Sequence, residues 1–350
     1  MEKCFQFRVH SALNIDAAVK TAVLLMFPLI AVGHHSVAEY DRGNIIELEG
    51  EVVSVHWRNP HVGFTMEVIN SEGSMQIWSL EAQDLNSQNR RGVPRDLLQV
   101  GATVRAAAYP STEREGFAFM SNILLPDGRE LITESRGQPR WSQDFIGGGA
   151  ATLDPDSDAT ETADGIFRVW MRRLPPGRFP QPLPLTSSAE VARAAWDPET
   201  DDVMMRCIPP GMPFAMFGRG PHPIDFIRRD GDIVIRAEYY DIVRTVHMNP
   251  ADDADPPLSQ LGYSTGTWEG DSLVVRTTRI DWPFFDRTGV PQSESSEILE
   301  RFTVSEDGSE LAYDVTVDDP ETFTEPVTAH WTWAWHPELE VEPYECIPSD

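Results

Sequence analysis

The run at residues 45–57 (IIELEGEVVSVHW) constrains the fold most, being long, rich in β-branched residues and broken once by Gly50. Branched side chains fit a pleated, half-buried surface, and a glycine inside such a run marks a place where the strand can bend strongly. Asn59-Pro60 turns the chain, and residues 61–69 read as a second strand. Ser71-Glu72-Gly73 is a hairpin turn before a third strand over 75–81. The period then changes. Residues 84–98 contain a short helix with Asp84 as its N-cap. A fourth strand covers 100–109 and a fifth 117–125, ended by Pro126-Asp127-Gly128. Three strands, a helix and two strands, with a long bent first strand, is the order of an OB-like five-stranded barrel.

The chain before this barrel reads as a targeting segment. Lys3, Arg8 and Lys20 precede the apolar run 21–30, and Ala31-Val32-Gly33 puts small residues where a signal peptidase inspects. The apolar run is shorter than the roughly 20 residues that span a bilayer. Residues 1–33 are therefore expected to be a signal peptide, removed to leave a periplasmic or secreted protein with no stable membrane span. Cleavage would make His34 the first residue. It would also remove Cys4, leaving Cys207 and Cys346 as a disulfide in an oxidising compartment. Loop closure over that separation contributes about 4–5 kcal/mol.

Hydrophobic residues make up 41% of the 350 and charged residues 24%, values of a globular chain long enough for a sizeable core. The formal net charge is −28. Such a field repels phosphate backbones. Many OB barrels bind nucleic acid through basic grooves and exposed aromatics, but here the first strand carries Glu47, Glu49 and Glu51. Nucleic acid is excluded as a partner.

Residues 134–165 contain Gly147-Gly148-Gly149 and the acidic run Asp154-Pro155-Asp156-Ser157-Asp158. This composition predicts a flexible acidic linker that lets an OB-like domain at 34–133 move relative to a second domain at 166–350. After a helix capped by Thr186, the second domain is strands and turns. Asp230-Gly231 and the Gly270-Asp271 turn join neighbouring runs, and later runs lie near 297–304, 311–317 and 327–335. The whole chain reads as mainly β, with the second domain a larger antiparallel lipocalin-like β-barrel or sandwich that could enclose a ligand cavity.

Two groups of residues could carry chemistry. His34, His35, His56 and His61 form a candidate metal set. A terminal histidine offers its α-amine and its ring together, which suits copper(II), and zinc would accept three of these imidazoles. In the second domain, Glu238, Arg244, His247, Trp268, Glu269 and Arg301 are candidate ligand-binding residues. A carboxylate beside an arginine in a cavity binds a polar ligand or works as acid and base. Trp331, Trp333 and Trp335 share one strand face by their spacing of two.

His34-His35-Ser36, Glu39-Tyr40-Asp41, Gly50-Glu51-Val52 and Trp57-Arg58-Asn59-Pro60-His61 together resemble a secreted bacterial family known only as a domain of unknown function. The resemblance covers about 34–132. The second half is similar to an uncharacterised β-rich region of secreted bacterial proteins, through Cys207-Ile208-Pro209-Pro210-Gly211, Gly266-Thr267-Trp268-Glu269-Gly270-Asp271, Glu300-Arg301-Phe302 and Asp318-Asp319-Pro320. Relatives often carry histidine where this chain has Tyr263 and Gln292. Neither resemblance implies an activity. The expectation is a binding protein for a metal, and for a small molecule as well or instead. The alternative is a periplasmic enzyme doing copper-dependent oxidative chemistry or acid–base chemistry in the barrel.

Overall fold

A computed structural model describes residues 39–135, 137–149, 164–173, 177–217, 222–251 and 255–348. The first sheet contains β1 (Ile46–His56), β2 (Gly63–Ile69), β3 (Met75–Glu81), β4 (Thr103–Pro110) and β5 (Phe117–Leu124). Alternation sorts their faces. In β2, Phe64, Met66 and Val68 are buried while Thr65 and Glu67 face outward. β3 pairs in parallel with β5 at Ser79–Phe117, Leu80–Ala118 and Glu81–Phe119, which closes the five strands into a barrel. The first strand pairs regularly at Gly50, and its register with β2 shifts between Val52 and Ser54. Gly50 sits opposite Val68, and a Cβ there would run into the Glu67 carbonyl. The helix α1 (Leu85–Arg90) is capped by Asp84, whose carboxylate accepts from the Ser87 amide at 2.8 Å.

This sheet does not stop at residue 133. It continues through β6 (Glu130–Ile132) and β7 (Phe145–Gly147), which pair in parallel. Two of the three glycines expected to loosen a linker, Gly147 and Gly148, serve close packing instead. Gly147 and Gly148 adopt φ of 86° and 70°. A Cβ on Gly147 would collide with the Ile132 carbonyl and Val93. The carboxylate of buried Glu130 gathers the Arg140, Trp141 and Ser142 amides at 2.8–2.9 Å. The acidic run 154–158 lies outside the described residues.

The second sheet closes as a nine-stranded barrel from β8 (Val169–Arg172), β9 (Ile224–Arg229), β10 (Asp232–Ala237), β11 (Ile242–His247), β12 (Tyr263–Glu269), β13 (Ser272–Thr278), β14 (Glu297–Val304), β15 (Glu310–Asp318) and β16 (Val327–Trp335). A helix, α2 (Ser187–Ala195), precedes β9 and is capped by the Thr186 hydroxyl. The hairpin between β9 and β10 turns on Asp230 and Gly231, both at positive φ (54° and 91°), the conformation that Asp-Gly pairs adopt readily. Aromatic rings fill much of the interior: Phe302, Tyr313 and Trp333 stack in sequence, at centroid distances of 4.7 and 5.1 Å. Trp331 and Trp333 are core residues, as their shared spacing implies.

All described residues fall within a single compact unit. The two barrels meet along a polar seam. Arg90 of α1 donates both arms to buried Glu238, at 2.8 and 2.6 Å. His222 lies between two carboxylates, with Nδ1 3.0 Å from Glu238 and Nε2 3.6 Å from Asp84. The C-terminal tail crosses the same seam. Asn86 donates to the Pro343 carbonyl at 3.1 Å, and Asp241 accepts the Tyr344 amide at 2.7 Å. Cys346 anchors the tail to Cys207 through a disulfide, with Cα atoms 5.5 Å apart.

Candidate functional site

The described chain enters the first barrel at Glu39 and Tyr40, and this entry is heavily tied down. Tyr40 forms a bridge with Ser111, and the Asp41 amide donates to the Pro110 carbonyl at 2.9 Å. Arg114 and the Ser111 hydroxyl donate to the nearly buried carboxylate of Glu39 at 2.7–3.0 Å. The Tyr40 ring is buried against Phe119, and its hydroxyl donates to Glu81 at 2.7 Å. Burial, then the negative charge of Glu81, push the Tyr40 phenol far above its ordinary pKa. It stays protonated, so the direction of that bond is fixed.

Glu81 links this entry to the first barrel's histidines. Its second carboxylate oxygen lies 3.5 Å from Nδ1 of His61. That is ion-pair range, longer than a directed hydrogen bond. His56, Gly63 and Glu81 stand in one row across β1, β2 and β3. Their side-chain positions share the barrel's outer face, and the central one carries no side chain. His56 is exposed, with Nε2 3.2 Å from the Ser54 hydroxyl. His56 and His61 therefore share one region of the barrel. His34 and His35 lie outside the described residues. Among the described residues no three histidine, cysteine, aspartate or glutamate side chains gather as a metal-holding set.

The candidate residues of the second barrel fall in separate places. Arg244 is inside it, sharing a network with Glu300, Ser264, Thr277 and Tyr313. These groups are all buried and largely satisfy one another. Glu238 belongs to the seam between barrels. His247 faces outward, 2.8 Å from Asp232 and stacked on Tyr263. Glu269 and Arg301 make an exposed surface pair. Trp268 stands at the rim of an open cleft. Cys207 and Cys346 are bonded.

Three of the motif residues have roles that the sequence alone did not reveal. Tyr40 and Glu39 sit inside the Glu39-Tyr40-Asp41 motif, but their role depends on Glu81 and Arg114, which lie 41 and 75 positions further along. Asn59 is the third. Its side-chain oxygen accepts the Leu85 amide at 2.7 Å, and its amide donates to Asn86 at 2.8 Å and to the Tyr344 carbonyl. Within Asn59-Pro60-His61, the asparagine is a structural joint between α1 and the tail.

Among the described residues no helix is long and apolar enough to cross a membrane. No curated protein matches the chain. Residues 23–118 match the model of a protein family described as a family of unknown function (DUF6152), which takes in the entry at Glu39 and Tyr40, both barrel histidines and Glu81.

Proposed function

We propose that the first barrel is a metal-binding module that holds copper(II) through the α-amine and ring of His34 together with the imidazole of His61. The observation that carries this reading is the Tyr40–Glu81–His61 chain at the point where the described protein begins. An imidazole that binds a metal commonly turns its other nitrogen toward a carboxylate, which orients the ring and raises its basicity. With Nδ1 turned to Glu81, Nε2 is the nitrogen a metal would take. His34 precedes Glu39 by five residues, and an extended chain of that length reaches about 17 Å. An amine with two imidazoles is a donor set suited to copper(II). The amine titrates near ~8, so copper has to displace its proton, which is feasible at neutral pH. His56, on the same outer face, is a further imidazole within the region. Zinc would accept the same nitrogens and is the competing ion.

Copper(II) titrated into the mature protein tests this reading. His61→Ala should weaken binding at least about tenfold, and Glu81→Gln by about 10–100-fold, the usual effect of removing such a supporting carboxylate. Wild-type affinity in His61→Ala would reject the site. Zinc competition in the same titration identifies the preferred ion.

A further inference from the structure

The open end of the second barrel holds a cleft of about 590 Å³, a size typical of small-molecule sites, which often lie in barrel mouths. Strand alternation decides what faces it. In β12, Ser264, Gly266 and Trp268 share the inward face. Ser264 is buried within the barrel, yet Trp268, one step beyond Gly266, is 45% exposed. A large aromatic ring on an inward face, left this open, is a wall of the mouth. Below it, a Cβ on Gly266 would meet Val246 at 2.6 Å and Met248 at 2.7 Å. The Val246 and Met248 side chains fill the space that a side chain at Gly266 would take. Phe167 stands 6.4 Å from Trp268, its plane tilted by 54°.

The one charge on the inward face at this level, among the lining residues, is a cation. Arg228 of β9 lies opposite Ile233 of β10, on the face shared by buried Phe226 and Ile235. Its guanidinium sits 3.5 Å from the centre of the Phe167 ring. Its carboxylate partner is Asp164, and both side chains are well exposed. An exposed ion pair contributes little, so another carboxylate can replace this partner at small cost.

We propose that this mouth binds an aromatic carboxylate. The ligand's carboxylate takes both arms of Arg228, a geometry the planar guanidinium favours. Its ring packs on Trp268 beside Phe167, above Ile233 and Met248. In the free protein Asp164 occupies the position of the ligand's carboxylate. The site is separate from the metal reading of the first barrel.

The test is calorimetric titration of 2-naphthoate into the full mature protein, with 2-naphthamide as the uncharged control. The acid should bind saturably. The amide should bind about tenfold or more weakly, the worth of a charge-assisted hydrogen bond. Arg228→Gln and Trp268→Ala should each weaken the acid about tenfold. Asp164→Asn should tighten it, because the internal competitor is gone. The changed residues are exposed, and a thermal melt of each variant checks its fold. Absence of saturable binding, an amide that binds as well as the acid, unchanged affinity in Arg228→Gln, or weaker binding in Asp164→Asn would each overturn the proposal.

Discussion

Asn59 carries a disproportionate share of the structure for one side chain. It joins the turn before β2, the start of α1 and the C-terminal tail, and it is buried. Asn59→Ala leaves the Leu85 amide and the Tyr344 carbonyl without that partner, at a cost of about 1–3 kcal/mol for each buried group left unsatisfied. A lower denaturation midpoint with an unchanged slope checks this; a midpoint equal to wild type would contradict it. Glu238 gives a pH-dependent counterpart. Burial alone would raise its pKa, but the His222 and Arg90 contacts outweigh burial and hold it below the ordinary 4.5. The stability it contributes is therefore present above that value and lost as pH falls through the folded pKa. Glu238→Gln should be about 3–5 kcal/mol less stable at pH 7, because Arg90 loses its counter-charge. It should also lose less Tm than wild type between pH 5 and pH 3. An equally steep acid decline in both proteins would contradict the assignment. At this scale the sequence was legible where the signal is local. Asp84 as an N-cap needs only the next three residues. The partners of Asn59 and Glu81 lie tens or hundreds of positions away, and no spacing rule points to them.

Among the elements, hairpins were the easiest to read because turn chemistry is local. Asp230-Gly231 and Ser71-Glu72-Gly73 each join the expected strands. Gly147 and Gly148 misled for the same reason: positive φ suits a linker and a tight packing position alike, and only the contacts with Ile132, joined at Gly147 by Val93, separate the two. Gly147→Ala should therefore destabilise the first barrel by more than the loss of a flexible residue would, through both a strained φ and the collision. Unchanged thermal stability would return this glycine to a linker role. The tail is an element that composition hid. It has no helix or strand pattern, yet the disulfide and the Asn86 and Asp241 contacts hold it across the seam. Cys346→Ser should remove about 4–5 kcal/mol by the loop-closure argument. It should also raise amide exchange in the tail before it does so in the β13–β15 strands. Equal protection of the tail in both proteins would contradict the strap.

Over the whole molecule, the five-stranded barrel was legible from strand order, and the second half was legible as a large β-barrel or sandwich whose closure only the structure decides. Their union was not, because the seam is made by single polar residues from distant segments: Arg90, Asp84, His222, Glu238 and the tail. Thermal unfolding should accordingly show one transition for both barrels, and Arg90→Ala should broaden or split it. Two separate transitions in the wild-type protein would restore a picture of independent domains. The metal reading rests on His34 standing at the start of the mature chain, with a free amine beside His61 and Glu81. Copper(II) affinity measured in protein beginning at His34, and in the same protein with one residue added before it, tests that claim most directly. The extended form should bind at least about tenfold more weakly, because the added peptide bond removes the amine from the donor set. Equal affinity in the two forms would contradict the account.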